Sequence, residues 1–296
     1  MKQQTYTLEL LTPCFCSGAD QAKAEIRAPS IRGQLRWWFR ALGGNADDER
    51  MVFGGVAGAA SASALIVRVT EIKMGPAWNP PRIDPNSPDS YVWYFASVSG
   101  KAPGSGPSSL GPRWTPGGAT PPHSTFRMQL LQKRPLSPYL QDQLNRAVRC
   151  FLQLGAIGLR ATRGLGTFNC AEVPFDPLIL VEIRSRGFAC EHRTTPLSST
   201  EHIAREIGGL LKGTRKAENM KAERPSPFGS SSPRQTSAIY FRPVRTISSG
   251  KDCQLVIFEA PHNLVLGPAS AGMPRVVGHA NSKLVKPAFT AGPRRW

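Results

Sequence analysis

Over the first 175 residues the hydrophobic pattern changes period in the order strand, helix, strand, strand, helix, strand, and few folds accept that order. Thr5 to Leu11 alternates as a strand until Thr12-Pro13 ends it. Ser30 reads as the N-cap of a helix from Ile31 to Leu42, stopped by Gly43-Gly44. Residues 64–72 form a β-branched run and Phe126 to Leu131 another. A second helix begins at Ser137 as N-cap with Pro138 in its first position. It carries Leu140, Leu144, Val148 and Phe151 on one face and closes at Gly155 and Gly158. Strands are expected at about 167–173 and again at 178–184. This βαββαβ order predicts an α+β chain with a ferredoxin-like (RRM-like) unit, four antiparallel strands carrying two helices on one face.

From 178 a second, less complete round is expected: that strand, a helix at about 201–212, and strands at 237–245 and 253–259. The reading is therefore two tandem ferredoxin-like domains, 1–175 and 176–296. Inside the first lies an insertion, 97–124, where Gly, Pro and Ser make 18 of 28 residues, too little apolar surface to offset the entropy of ordering it. The chain carries 37 Lys+Arg against 20 Asp+Glu, a net charge of +17. Such a field favours a polyanionic partner, with nucleic acid ahead of acidic lipid. No run approaches a membrane span and Met1 to Leu11 contains Lys2 and Glu9 instead of a signal-peptide core, so a cytoplasmic location is expected. Six cysteines without zinc-type spacing read as reduced thiols.

Three segments combine positive charge with groups suited to RNA. On the first helix Ile31, Leu35, Trp38 and Leu42 make an apolar stripe, while Arg32, Arg36 and Arg40 recur every fourth residue on a neighbouring stripe expected to face solvent. Guanidinium forks suit phosphate and aromatic rings suit unstacked bases; Trp38 belongs to the core, and Trp37 fits either role. The turn Gly158 to Phe168 offers Arg160 and Arg163 beside Gly164 and Gly166, whose backbone can approach a phosphodiester, but it lacks the Lys-Ser/Thr of a nucleotide-binding loop. The loop Ser226 to Ser237 adds Arg234 and Gln235 before a strand. Each segment also has a plain reading as basic surface, structural turn or solvated loop.

Together, Leu11-Thr-Pro-Cys-Phe-Cys-Ser-Gly-Ala-Asp-Gln21, Ile26 to Arg40, the glycine-rich Gly158 to Phe168, and Pro233-Arg-Gln-Thr-Ser237 with the strand to Arg242 resemble the RAMP superfamily of CRISPR proteins. Within it the likeness is to first subunits of the type III-B (Cmr) effector module. Ser17-Gly18 stands where many relatives carry two adjacent glycines. The resemblance implies tandem ferredoxin-like domains and a structural role in an antiviral ribonucleoprotein. It places RNA on the first helix and the glycine-rich turn, near the 3′ region of a guide RNA. The partners it implies are guide and target RNA and the other RAMP subunits.

Nothing in the pattern asks for a cofactor. The five histidines are scattered without metal-ligand spacing and none precedes His123, whereas guide-processing RAMP nucleases often place one near the N-terminus. Asp20 is the one weak catalytic candidate, because target-cutting relatives carry an aspartate in the loop after the first strand; its plain reading is a turn former. The expectation is a non-enzyme. The alternatives are a RAMP endoribonuclease and a stand-alone single-strand RNA-binding protein.

Overall fold

A computed structural model describes residues 2–20, 23–56, 60–79, 81, 87–93, 118–217, 226–231, 234–273 and 275–277. Residues 97–117 of the expected insertion and Gln21 of the first motif lie outside them. The first half runs β1 (Lys2–Leu10), α1 (Ala28–Ala41), α2 (Ala46–Phe53), β2 (Leu65–Lys73), α3 (Ser90–Trp93), β3 (Thr125–Gln132), α4 (Pro138–Leu154) and β4 (Phe168–Cys170). Its sheet has the order β2-β3-β1-β4 with every pairing antiparallel. The register Leu8↔Phe126 and Leu10↔Phe168 puts large side chains side by side on one face. Leu8, Leu10, Phe126, Met128 and Leu130 from that face meet Ile31, Leu35 and Phe39 of α1 and Leu144, Ala147 and Phe151 of α4 in one cluster.

The helix starts show which local signals operate. Ser137 Oγ accepts the Leu140 N–H at 3.3 Å, so α4 begins at the expected cap, with Pro138 in the first turn. Ser30, in contrast, does not cap α1. The helix starts earlier, with Arg27 at the N-cap and Pro29 in the first turn, and Ser30 Oγ instead lies 3.3 Å from Cys16 Sγ. Proline at that position needs no N–H and has its φ preset for a helix, which overrides the serine signal. The helix α2 has no counterpart in the expected pattern; Asn45 caps it, accepting the Asp48 N–H at 2.8 Å, and Asp47, Asp48 and Glu49 occupy its first turn.

The second half continues with α5 (Leu178–Ser185), β5 (Ala189–Leu197), α6 (Thr200–Ala217), β6 (Ser230–Ser231), β7 (Arg234–Gln235), β8 (Ile239–Val244), β9 (Cys253–Glu259) and α7 (His262–Val265). The expected strand at 178–184 is thus a helix. Leu178 to Val181 is a short apolar run that either structure accommodates. The observed burial is helical: Ile179, Leu180 and Ile183 are inside, while Leu178 and Val181 are exposed. Asp176 Oδ1 starts the helix by accepting the Leu178 N–H at 2.9 Å.

Strands β5, β9 and β8 form an antiparallel sheet in that order, covered on both faces. Ile239, Phe241, Leu255 and Ile257 pack with Ile203, Ile207 and Leu211 of α6. Tyr240, Val244, Val256 and Phe258 point the other way, into the cluster that holds α1 and α4. Trp38, 1% exposed, stacks on Phe188 and lies 5.5 Å from the Phe258 ring. Both cores therefore draw on both halves of the chain. All six cysteines are free and buried, and no helix among the described residues is long and apolar enough to cross a membrane.

Candidate nucleic-acid interface

The three basic segments meet. A cleft of about 250 Å³ lies between α1, the glycine-rich turn and the start of β8. Its walls are Gln34, Trp37, Arg40 and Ala41 of α1, Ala161 and Thr162 of the turn, Thr236 and Tyr240, and Leu264 and Val265 of α7. Residues some 200 positions apart in sequence share this one surface depression.

On α1 the arginine stripe faces solvent only in part, because α2 lies against it. Glu49, 5% exposed, receives Arg36 Nε at 2.5 Å and Arg40 Nη1 at 3.1 and 3.2 Å. A carboxylate this buried needs paired cations, and α2 supplies it between two, so the trio carries a net single positive charge. Arg40 stays the more open, with 52% of its side chain exposed against 38% for Arg36. Arg32 turns to the Phe53 carbonyl at the C-terminal end of α2. Trp37 is half-buried, with its ring 4.8 Å from Tyr240 and 4.9 Å from Trp38. Burial raises the Tyr240 phenol well above its ordinary pKa despite the neighbouring Arg242 cation.

The glycine-rich turn is held from three sides. Thr12 Oγ1 donates to the Gly164 carbonyl at 2.8 Å, and the Gly166 N–H donates to Pro13 at 3.0 Å. The Phe241 N–H of β8 donates to Thr162 at 3.2 Å. From below, Arg242, 1% exposed, sends Nε to the Leu154 carbonyl at 2.7 Å and Nη1 to Ala161 and to Phe241. Leu154 ends α4, so the buried cation meets the negative end of a helix. It also lies 5.2 and 5.4 Å from the Tyr240 and Phe258 rings, and burial lowers its pKa to about 10, leaving it charged at neutral pH.

Within the turn the expected site residues separate. Arg160 is exposed, at a φ of +56° that side chains seldom adopt. Arg163 is 7% exposed and its Nη2 donates to the Phe228 carbonyl at 3.0 Å. Gly166 has φ +65°, and a Cβ there would sit 1.9 Å from the Ile157 carbonyl oxygen, so glycine is required by packing. Gly164 is held to glycine by its φ of +79°, since the nearest atom to a Cβ there would be the movable Ile207 Cδ1 at 2.6 Å. Arg163, Gly164 and Gly166 thus shape the turn, and Arg160 presents its charge.

The loop of the third segment is a short hairpin: Ser230↔Gln235 and Ser231↔Arg234 pair, and Gln235 Oε1 accepts the Ser226 N–H at 3.1 Å. Thr236, one residue on, reaches the cleft. Asp20 is exposed, 3.7 Å from Lys23 Nζ, and is not among the cleft residues. No group of three or more His, Cys, Asp or Glu among the described residues is placed to hold a metal ion. Behind α7, Glu259, fully buried, accepts the Val276 and Val277 N–H groups at 2.7 and 2.8 Å and pairs with His262 at 2.5 Å, fixing that wall of the cleft.

Residues 7–169 match the family model of the RAMP superfamily. The CRISPR system Cmr subunit Cmr1-1 of Pyrococcus furiosus is 29% identical over 178 residues, 56% of this chain and 44% of that protein. Cmr subunit Cmr1-2 of the same organism is 46% identical over 44 residues, 15% of this chain and 24% of that one. The chain therefore spans less than half the length of these curated relatives. The crystal structure of apo Cmr1 from Pyrococcus furiosus has a similar fold, with a TM-score of 0.53 over 88% of each chain at 18% identity.

Proposed function

We propose that this chain, which belongs to the RAMP superfamily, is a non-catalytic RNA-binding subunit of a type III-B (Cmr) CRISPR effector ribonucleoprotein. The observation that carries the reading is the convergence of α1, the glycine-rich turn and the segment before β8 on one cleft with Arg40 in its wall. The similarity of the chain to two Cmr subunits supports the choice of complex. In this reading Arg36, Arg40 and Arg160 meet phosphates of guide or target RNA near the 3′ region of the guide. Trp37 stacks or packs beside them, and Arg32, Arg163, Gly164, Gly166, Arg234 and Gln235 hold the surface in shape. The second sheet is an incomplete ferredoxin-like unit: β5, β9 and β8 follow the order of its first three strands, with α6 as the crossover. The complex would work in the cytoplasm, with other RAMP subunits as neighbours.

A phosphate contact adds affinity without base identity, and each one lost flattens the salt dependence by roughly 0.7 in log–log slope for single strands. Arg160→Glu is therefore expected to weaken binding of unstructured RNA about tenfold and to flatten that slope by about this amount, with the circular dichroism spectrum unchanged. Fluorescence anisotropy with a labelled 15-mer at several salt concentrations reads both; an unaltered affinity and slope would remove Arg160 from the interface.

Asp20→Ala is expected to leave RNA cleavage by an assembled complex unchanged in Mg²⁺, since losing a true metal ligand costs orders of magnitude in rate. Metal-dependent cleavage by the purified wild-type chain that disappears in Asp20→Ala would instead establish an endoribonuclease.

A further inference from the structure

The arginines account for phosphate, but the cleft beside them offers phosphate little. Trp37, Tyr240, Leu264 and Val265 form apolar walls, which a phosphodiester leaves unsatisfied and a planar ring would cover. The Gln34 side-chain amide and the Thr162 and Thr236 hydroxyls add donors and acceptors that the other described residues leave unengaged. At about 250 Å³ the cleft falls below the roughly 300–1,000 Å³ of sites for drug-sized ligands, which suits one planar heterocycle rather than several. Arg40 stands in the wall with half its side chain in solvent. From there it can reach the phosphate of the nucleotide whose base has entered.

We propose that the cleft receives a single unpaired nucleobase of the bound RNA, covered by the Trp37, Leu264 and Val265 side chains and hydrogen-bonded along its edge by Gln34, Thr162 and Thr236. Single-stranded RNA is commonly held by splaying out a base onto aromatic and apolar side chains, and because every base has a π face the site tolerates any of the four. The proposal rests on the RNA-binding reading above and adds to it: the chain fixes the strand by a base as well as by its charge, which would set the register of the guide or target against α1.

Three measurements on the full chain separate the two ideas. An oligouridine 15-mer and an abasic ribose-phosphate 15-mer carry equal charge, so backbone recognition alone binds them equally, whereas the occupied cleft gives oligouridine roughly a tenfold advantage. Thr236→Phe fills the cleft from an exposed position. It is expected to erase the advantage while leaving the abasic strand's affinity as it was. Photocrosslinking of 5-iodouridine RNA followed by peptide mapping is expected to mark Trp37 or Tyr240. Equal wild-type affinities, or crosslinks confined to peptides outside the cleft, would overturn the base site and leave the phosphate contacts standing. Failure to bind either strand would overturn the RNA-binding reading and the base site together.

Discussion

Arg242→Ala is expected to lower the unfolding free energy by about 3–5 kcal/mol, a fall of roughly 10 °C in Tm for a chain of this size. The guanidinium supplies the hydrogen bonds of the Leu154 carbonyl, which ends α4, and of the Ala161 carbonyl in the glycine-rich turn. Truncation leaves both without that donor, opens a void beside the stacked Tyr240 and Phe258 rings, and removes one of the links between β8 and the turn. Arg242→Lys keeps the charge but not the planar fork, so one ammonium cannot serve carbonyls in two directions; an intermediate loss is expected. Urea unfolding of the three proteins checks this, and a change within about 0.5 kcal/mol for the alanine variant would show that the buried cation is not what fastens the turn.

Raising monovalent salt from about 50 to about 200 mM is expected to weaken binding of unstructured RNA by roughly a hundredfold, the consequence of about five neutralised phosphates and a log–log slope near −3.5. The net charge of +17 would suggest a steeper dependence. Not all of it is available at the cleft: Arg163 and Arg242 are buried on carbonyls, and Arg36 and Arg40 are already engaged by Glu49. A salt-independent affinity would mean that the arginines do not meet phosphate at all.

The first sheet was legible because alternation in its long strands is driven by burial on a single face, and the same holds for α4, whose Ser137-Pro138 start has no competitor. The run at 178–184 was misread as a strand because four consecutive apolar residues carry no period. The three site segments could be found separately from their charge and glycines, but not their meeting, which depends on β8 crossing behind the turn. Two residues that organise the site escaped the pattern. Glu49 follows Asn45 and two aspartates, a helix-start signal that was there to be read. Arg242 had only a fainter one, a lone charge inside the apolar run Ile239 to Val244; such a charge reads as an exposed edge until its carbonyl partners, 81 and 88 residues away, are in place.

Affinity purification of the chain from its native host, with mass spectrometry of the proteins and sequencing of the RNA retained, decides whether it is the RNA-holding part of a Cmr-type complex as proposed. Other RAMP subunits and guide RNA are expected in the eluate, with the RNA lost from a chain that carries Arg40→Gln and Arg160→Glu and still folds. A chain recovered alone and free of RNA, or bringing equal amounts of RNA with and without those two substitutions, would contradict that role.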